Sequence, residues 1–134
     1  MAFFKFKIES YKVTSYQYST WDFTNEIKVL SEVMPFGARY SAQLIFEKDN
    51  SYQSDNRLGY VKLPPASKPG SITEIVVECN KENFPGFYQI LSTEKPVYLF
   101  IAYEDKLATK PANSHFIFQM QLSTDTELPG DFEK

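Results

Sequence analysis

Lys95 to Lys106 reads KPVYLFIAYEDK, and its seven residues from Val97 to Tyr103 pass without a charge. Val97, Leu99, Ile101 and Tyr103 point one way along an extended chain, and Tyr98, Phe100 and Ala102 the other. Strand side chains alternate between two faces, so a strand that is apolar in both phases is covered on both. This stretch predicts a central strand. The segment before it, NFPGFYQILS (83–92), has a helical spacing, with Phe84, Phe87 or Tyr88, and Leu91 on one face. Asn83 supplies a cap and Pro85 is tolerated in a first turn. A short helix over 83–92, packed on one side of the 97–103 strand, is the expectation.

Working outward, most of the chain has the two-residue rhythm of half-buried strands. Phe4, Phe6 and Ile8 alternate with Lys5, Lys7 and Glu9. Tyr11 and Val13 then fall in the opposite phase, which predicts a bulge near Glu9–Ser10. Tyr16 and Tyr18 alternate again, and Trp21 and Phe23 shift phase once more, as in a second, irregular strand. Tyr40, Ala42, Leu44 and Phe46 form an apolar face against Arg39, Ser41, Gln43 and Glu47. Short strands follow at 58–63 and 71–79, separated by PPASKPG (64–70), whose prolines carry no N–H for a ladder. After a loop at 104–114, Phe116, Phe118, Met120 and Leu122 are the inward set of a last strand, with His115, Ile117, Gln119 and Gln121 outward.

Residues 24–34, TNEIKVLSEVM, fit two templates. Ile27, Leu30, Val33 and Met34 share a helical face, with Thr24 or Asn25 as cap and Pro35 and Gly37 as terminators. Ile27, Val29 and Val33 fit a strand nearly as well. The capping signals favour a short helix.

The expected fold is mainly β: a single-domain β-sandwich or partly open β-barrel of about seven or eight short strands with one or two short helices, 83–92 and 24–34. Residues 1–122 form one β-rich domain, and 123–134 an acidic tail. A chain of 134 residues buries enough surface to need neither metal nor disulfide, and Cys79 is the sole cysteine. No repeat or linker divides it. The start of the chain alternates apolar and charged residues, unlike a signal peptide, and no run approaches the length of a membrane span. The cytoplasm, or that of an infected host, is the expected location.

Composition restricts the chemistry. Net charge is −3, with residues 1–70 at +2 and 71–134 at −5; neither half has the basic footprint of a typical nucleic-acid binder. The five glycines are scattered, so no phosphate-cradling loop is present. His115 is the sole histidine; a dyad with Cys79 is conceivable chemically, but a cysteine on an apolar strand ordinarily behaves as a small hydrophobe. Glu47, Asp49 and Asp55, with Asn50 and Asn56, offer calcium-type oxygens without the spacing of a known loop. Glu104 and Asp105 are adjacent acids at a strand end. No catalytic residue, metal ligand or cofactor is assigned.

Aromatic content is the unusual feature. Phe, Tyr and Trp make up 16% of the chain, more than a small core consumes. In the first quarter Lys5, Lys7 and Lys12 interleave with Phe4, Phe6, Tyr11, Tyr16, Tyr18 and Trp21, where rings could anchor a protein or stack on bases and sugars. Strict alternation alone also puts lysines on a solvent face. The expected function is a non-enzymatic binding or assembly module acting through an aromatic-rich surface. Tyr16, Tyr18, Trp21, Lys5, Lys7 and Lys12 form that surface, with Tyr52 or Tyr60 as additions and Arg39 and Arg57 as anion contacts. A protein partner or a second copy is the first choice of partner. A small anionic ligand such as a nucleotide or a sugar in the barrel comes second, single-stranded nucleic acid third, and a membrane is not expected.

Overall fold

The computed structural model describes residues 2–19, 23–48, 57–65, 67–68, 70–108 and 113–124. Seven strands form one closed barrel in the order β1-β2-β3-β5-β4-β7-β6, with β6 returning to β1. The strands are β1 (Ala2–Gln17), β2 (Phe23–Ser31), β3 (Arg39–Lys48), β4 (Gly59–Lys62), β5 (Ile72–Asn80), β6 (Tyr98–Ala108) and β7 (Ser114–Ser123). The helix α1 (Phe84–Thr93) joins β5 to β6. All neighbours are antiparallel except β3 and β5. The mainly β architecture expected from the alternation is the one found, and closure decides for a barrel over a sandwich.

The barrel interior is filled with side chains. Ile27, Val29, Leu44, Val61, Val77, Leu99, Ile101 and Ile117 are fully buried, as expected where a small barrel closes on inward residues from every strand. The 97–103 stretch lies between β1 and β7. Its inward set, Val97, Leu99 and Ile101, belongs to this core, while Phe100 and Ala102 on the outside are buried as well. The outer cover is not the helix. Phe3 packs on Phe100 at 5.7 Å between ring centroids, and Ala102 is flanked by Phe3 and Gln119 on the neighbouring strands. The helix lies at one end of the barrel, where Phe84 and Phe87 meet Phe46 edge-on at 5.4 and 5.2 Å and Leu91 enters the core.

Besides the position of the helix, expectations for three further segments are corrected. Residues 24–34 are not helical: Phe23–Ser31 is β2, paired with β1 on one side and β3 on the other. Ile27, Val29 and Ser31 point inward at period two, and Val33, which the helical reading needed on the buried face, is 61% exposed. A helix there would strip the backbone partners from two neighbouring strands, a cost that local capping signals cannot offset. Ser31 ends the strand: its hydroxyl donates to the Glu32 carbonyl (2.9 Å) and accepts the Tyr40 N–H (2.9 Å).

The second correction concerns the amino-terminal strands, which are one continuous β1 rather than two. The expected bulge is present, with the β1–β2 register shifting between Ile8 and Ser10. It moves the inward set from Phe4, Phe6 and Ile8 to Tyr11, Val13 and Ser15. The third is β7. A register shift between Ala102 and Tyr103 places Ile117 opposite Tyr103, so Ile117 is wholly buried. The expected assignment of Ile117 outward is therefore reversed, and Phe116, expected inward, turns outward with it. Met120 and Leu122 remain on the core side. β6 also continues to Ala108, through the first part of the expected loop at 104–114.

Candidate functional site

The end of the barrel away from α1 gathers the inward aromatics of three strands. Tyr40, at the start of β3, lies between Phe4 and Phe6 of β1, with 4.8 Å between centroids on each side and interplanar angles of 21° and 6°. Tyr103 of β6 contacts Phe4 at 5.8 Å and His115 at 5.3 Å. His115 Nδ1 is 2.8 Å from the Glu104 carbonyl oxygen; a carbonyl only accepts, so Nδ1 carries the proton and donates. The imidazole is thereby oriented as part of the barrel rim. Tyr40 and the phenylalanines were legible as inward residues, but their convergence on Tyr103 and His115 needed the barrel's closure.

The Tyr103 phenol is held above its ordinary pKa of 10.0 by burial first, then by Tyr40 and Asp105 nearby. The folded state thus holds this proton more tightly than the unfolded chain. The resulting stability is complete below pH 10 and is lost as pH rises past that value. Tyr103→Phe cannot ionise, so its denaturation midpoint should fall less than that of the parent protein between about pH 8 and about pH 11. Equal falls would show that the phenol is not linked to folding.

His115 and Cys79 are not a dyad. The register places His115 level with Val61 and, through it, Ile75. Cys79 lies four residues further along β5, about 13 Å at strand rise, and is buried at 7% exposure. Among the described residues there is no cluster of metal-ligating side chains, and of the calcium-type loop only Glu47 is described, near Thr24 Oγ1 at 3.3 Å. No helix among the described residues is long and apolar enough to cross a membrane.

The lysines and tyrosines of the first quarter share one feature, the long strand β1. β6 pairs with it only from Ala2 to Lys7, and the ladder ends where the Ile8 N–H donates to the Val97 carbonyl at 2.8 Å. From Ser10 to Gln17, β1 pairs with β2 alone. Among the described residues no strand pairs with its other side, so this is an open edge. It presents Tyr11, Val13 and Tyr16 at 37%, 36% and 42% exposure, continuing to Tyr18 at 69%. Tyr16 and Tyr18 stack, 6.4 Å apart and 20° from parallel. Phe23, opposite Gln17, is exposed too. Lys12 projects on the outer face opposite Lys28 of β2.

The remaining expected site residues are dispersed. Lys5 and Lys7 are on the outer face of the closed half of β1, with Lys5 Nζ 5.4 Å from the centre of the Tyr98 ring. Arg39 donates through Nε to the Ser31 carbonyl at 2.7 Å, at the opposite end of β2 from the tyrosines. The Arg57 guanidinium stacks 4.0 Å from the Phe116 ring, beside Tyr60. The structure therefore brings Tyr16 and Tyr18 together and leaves the two arginines apart from them. Trp21 and Tyr52 lie outside the described residues.

Where β1 parts from β6, an open cleft of about 770 Å³ separates β1 from the end of α1. Ile8, Tyr11, Leu91, Pro96 and Val97 give it an apolar floor, and Glu9, Glu32 and Glu94 outnumber Lys7 and Lys95 around it. Tyr11 and Tyr88 bridge the same gap edge-on at 6.5 Å. No known protein family matches the chain, and no curated protein or solved structure matches it either.

Proposed function

We propose that this protein is a non-enzymatic binding or assembly module that works through the aromatic edge of β1. The observation that carries the reading is the open side of Ser10–Gln17, with exposed Tyr11, Val13, Tyr16 and Tyr18 along it. A strand edge offers unpaired N–H and C=O groups to another chain, and tyrosine rings supply contact area at low entropic cost. Natural edges are commonly guarded by charge, proline or a bulge within the exposed run; here Lys12 is the sole charge between Ser10 and Tyr18, and no proline or glycine interrupts it.

An anionic small ligand is less well supported. The barrel interior is occupied by the core, and the open cleft has more carboxylates than lysines around it. Like charges raise the cost of bringing an anion there.

Light scattering across a range of protein concentration tests the proposal. The chain should rise above its monomer mass of 15.5 kDa as concentration increases, and a Tyr16→Ser/Tyr18→Ser variant should stay at that mass with an unchanged melting temperature. A parent protein and variant that both assemble equally would remove the aromatic edge from the function.

A further inference from the structure

We infer that the occupant of the open edge is a second copy of the same edge, paired antiparallel about a two-fold axis through Val13. This rests on the assembly reading above and specifies its geometry.

The hydrogen-bond phase selects the axis. Ile8 turns its N–H toward β6 and sits opposite Ser31, after which the bulge brings Ser10 opposite Leu30. Amides alternate in direction along a ladder. Ser10, Lys12 and Thr14 therefore spend their backbone groups on β2, while Tyr11, Val13 and Ser15 turn theirs outward. An axis through Val13 makes Val13 exchange both backbone bonds with its own mate, and Tyr11 exchange with Ser15, for about six new bonds.

Side chains agree with this register. It sets Val13 against Val13 and Tyr11 against Ser15 on the inner face, and Lys12 against Thr14 and Ser10 against Tyr16 on the outer face. No lysine faces a lysine. The single charge of the run offers little to choose an acidic or basic peptide, whereas the run complements itself.

The same axis accounts for the cleft. Continuing the pairing past Ser10 carries Tyr18 of the second copy to the mouth of the cleft beside β1. Its apolar floor of Ile8, Leu91, Pro96 and Val97 is suited to an aromatic ring, and Tyr18 is the most exposed tyrosine among the described residues. Backbone pairing over roughly 26 Å of strand is a small contact by itself. Two tyrosine–cleft contacts, one from each copy, bring it toward the roughly 800 Å² per partner of a stable interface.

Charge exchange at the axis tests the geometry. Val13→Lys and Val13→Glu each set like charges face to face, and each should dimerise about tenfold more weakly or worse than the parent chain. An equimolar mixture should restore the dimer, as a pair of unlike chains. Circular dichroism melts of both variants check that the fold is retained. Independently, Lys12→Cys mixed with Thr14→Cys should form an interchain disulfide on mild oxidation, since these positions face each other closely, while either variant alone should not. Failure of the mixture to restore the dimer, or cross-linking equally strong in every combination, would overturn the two-fold pairing. If the Tyr16→Ser/Tyr18→Ser variant still abolishes assembly in that case, the aromatic edge stands and only this geometry fails; a parent chain that stays monomeric at high concentration would sink both.

Discussion

Phe46→Ala is expected to destabilise the protein by about 3–5 kcal/mol, the range for deleting a buried ring from a core that cannot collapse around the gap. Phe46 is 1% exposed and has a second role. Its ring is the seat for Phe84 and Phe87, the two residues by which α1 caps the barrel end. The loss therefore reaches beyond β3. Thermal melting should fall by about 10 °C or more for a domain of this size. Amide exchange should accelerate more in α1 than in β2, because the helix is held by its packing and a ten-residue helix is marginal without it. A melting temperature within a degree or two of the parent would mean that the helix is anchored elsewhere.

Gly59→Ala is the second large effect. A Cβ at Gly59 would lie 1.9 Å from the Val76 carbonyl oxygen and 2.9 Å from its carbon. Both are backbone atoms of the adjacent strand, so no side-chain rotation relieves the clash. Gly59 is also the junction of three strands, opposite Val77 on β5 and Ile117 on β7. β4 has four residues and is the bridge that closes the barrel on this side. Displacing its first residue should cost about 3 kcal/mol, the upper part of the range for overpacked sites, and loosen the β4–β7 contact first. Gly86→Ala in α1 is the control. Nothing lies within 4 Å of a Cβ there, and the change should stabilise the protein by about 0.5–1 kcal/mol through the unfolded chain and helix propensity. Chemical denaturation of the pair separates a steric effect from a general sensitivity to methyl groups.

The proposed pairing through β1 would limit the size of the assembly. Each copy has one such edge in the described residues 10–17, and the proposed two-fold pairing would consume it, so the assembly would close at two chains. An edge that met a different surface in each partner would instead propagate.

The residues themselves determined the class of fold and much of its strand content. Period-two alternation located the strands around Phe4–Ile8 and Tyr40–Phe46, Ile and Val content located the one at 71–79, and the reversal of phase after Ile8 announced the bulge. Alternation is a local consequence of one wet and one dry face, so it survives without knowledge of neighbours. Tertiary structure decided the rest. Residues 23–31, whose spacing fitted a helix and a strand almost equally, became a strand because β1 and β3 both needed backbone partners. Ile117 moved inward because a bulge on the β6–β7 ladder reset the phase by one residue, a slip that exchanges faces. The helix went to the barrel end, where Phe84 and Phe87 seat on Phe46, while side chains of neighbouring strands, Phe3 on Phe100 among them, cover the outer face of β6. The candidate site divides the same way: the chain showed its aromatic excess, but only the shorter reach of β6 along β1 left those tyrosines on an open edge.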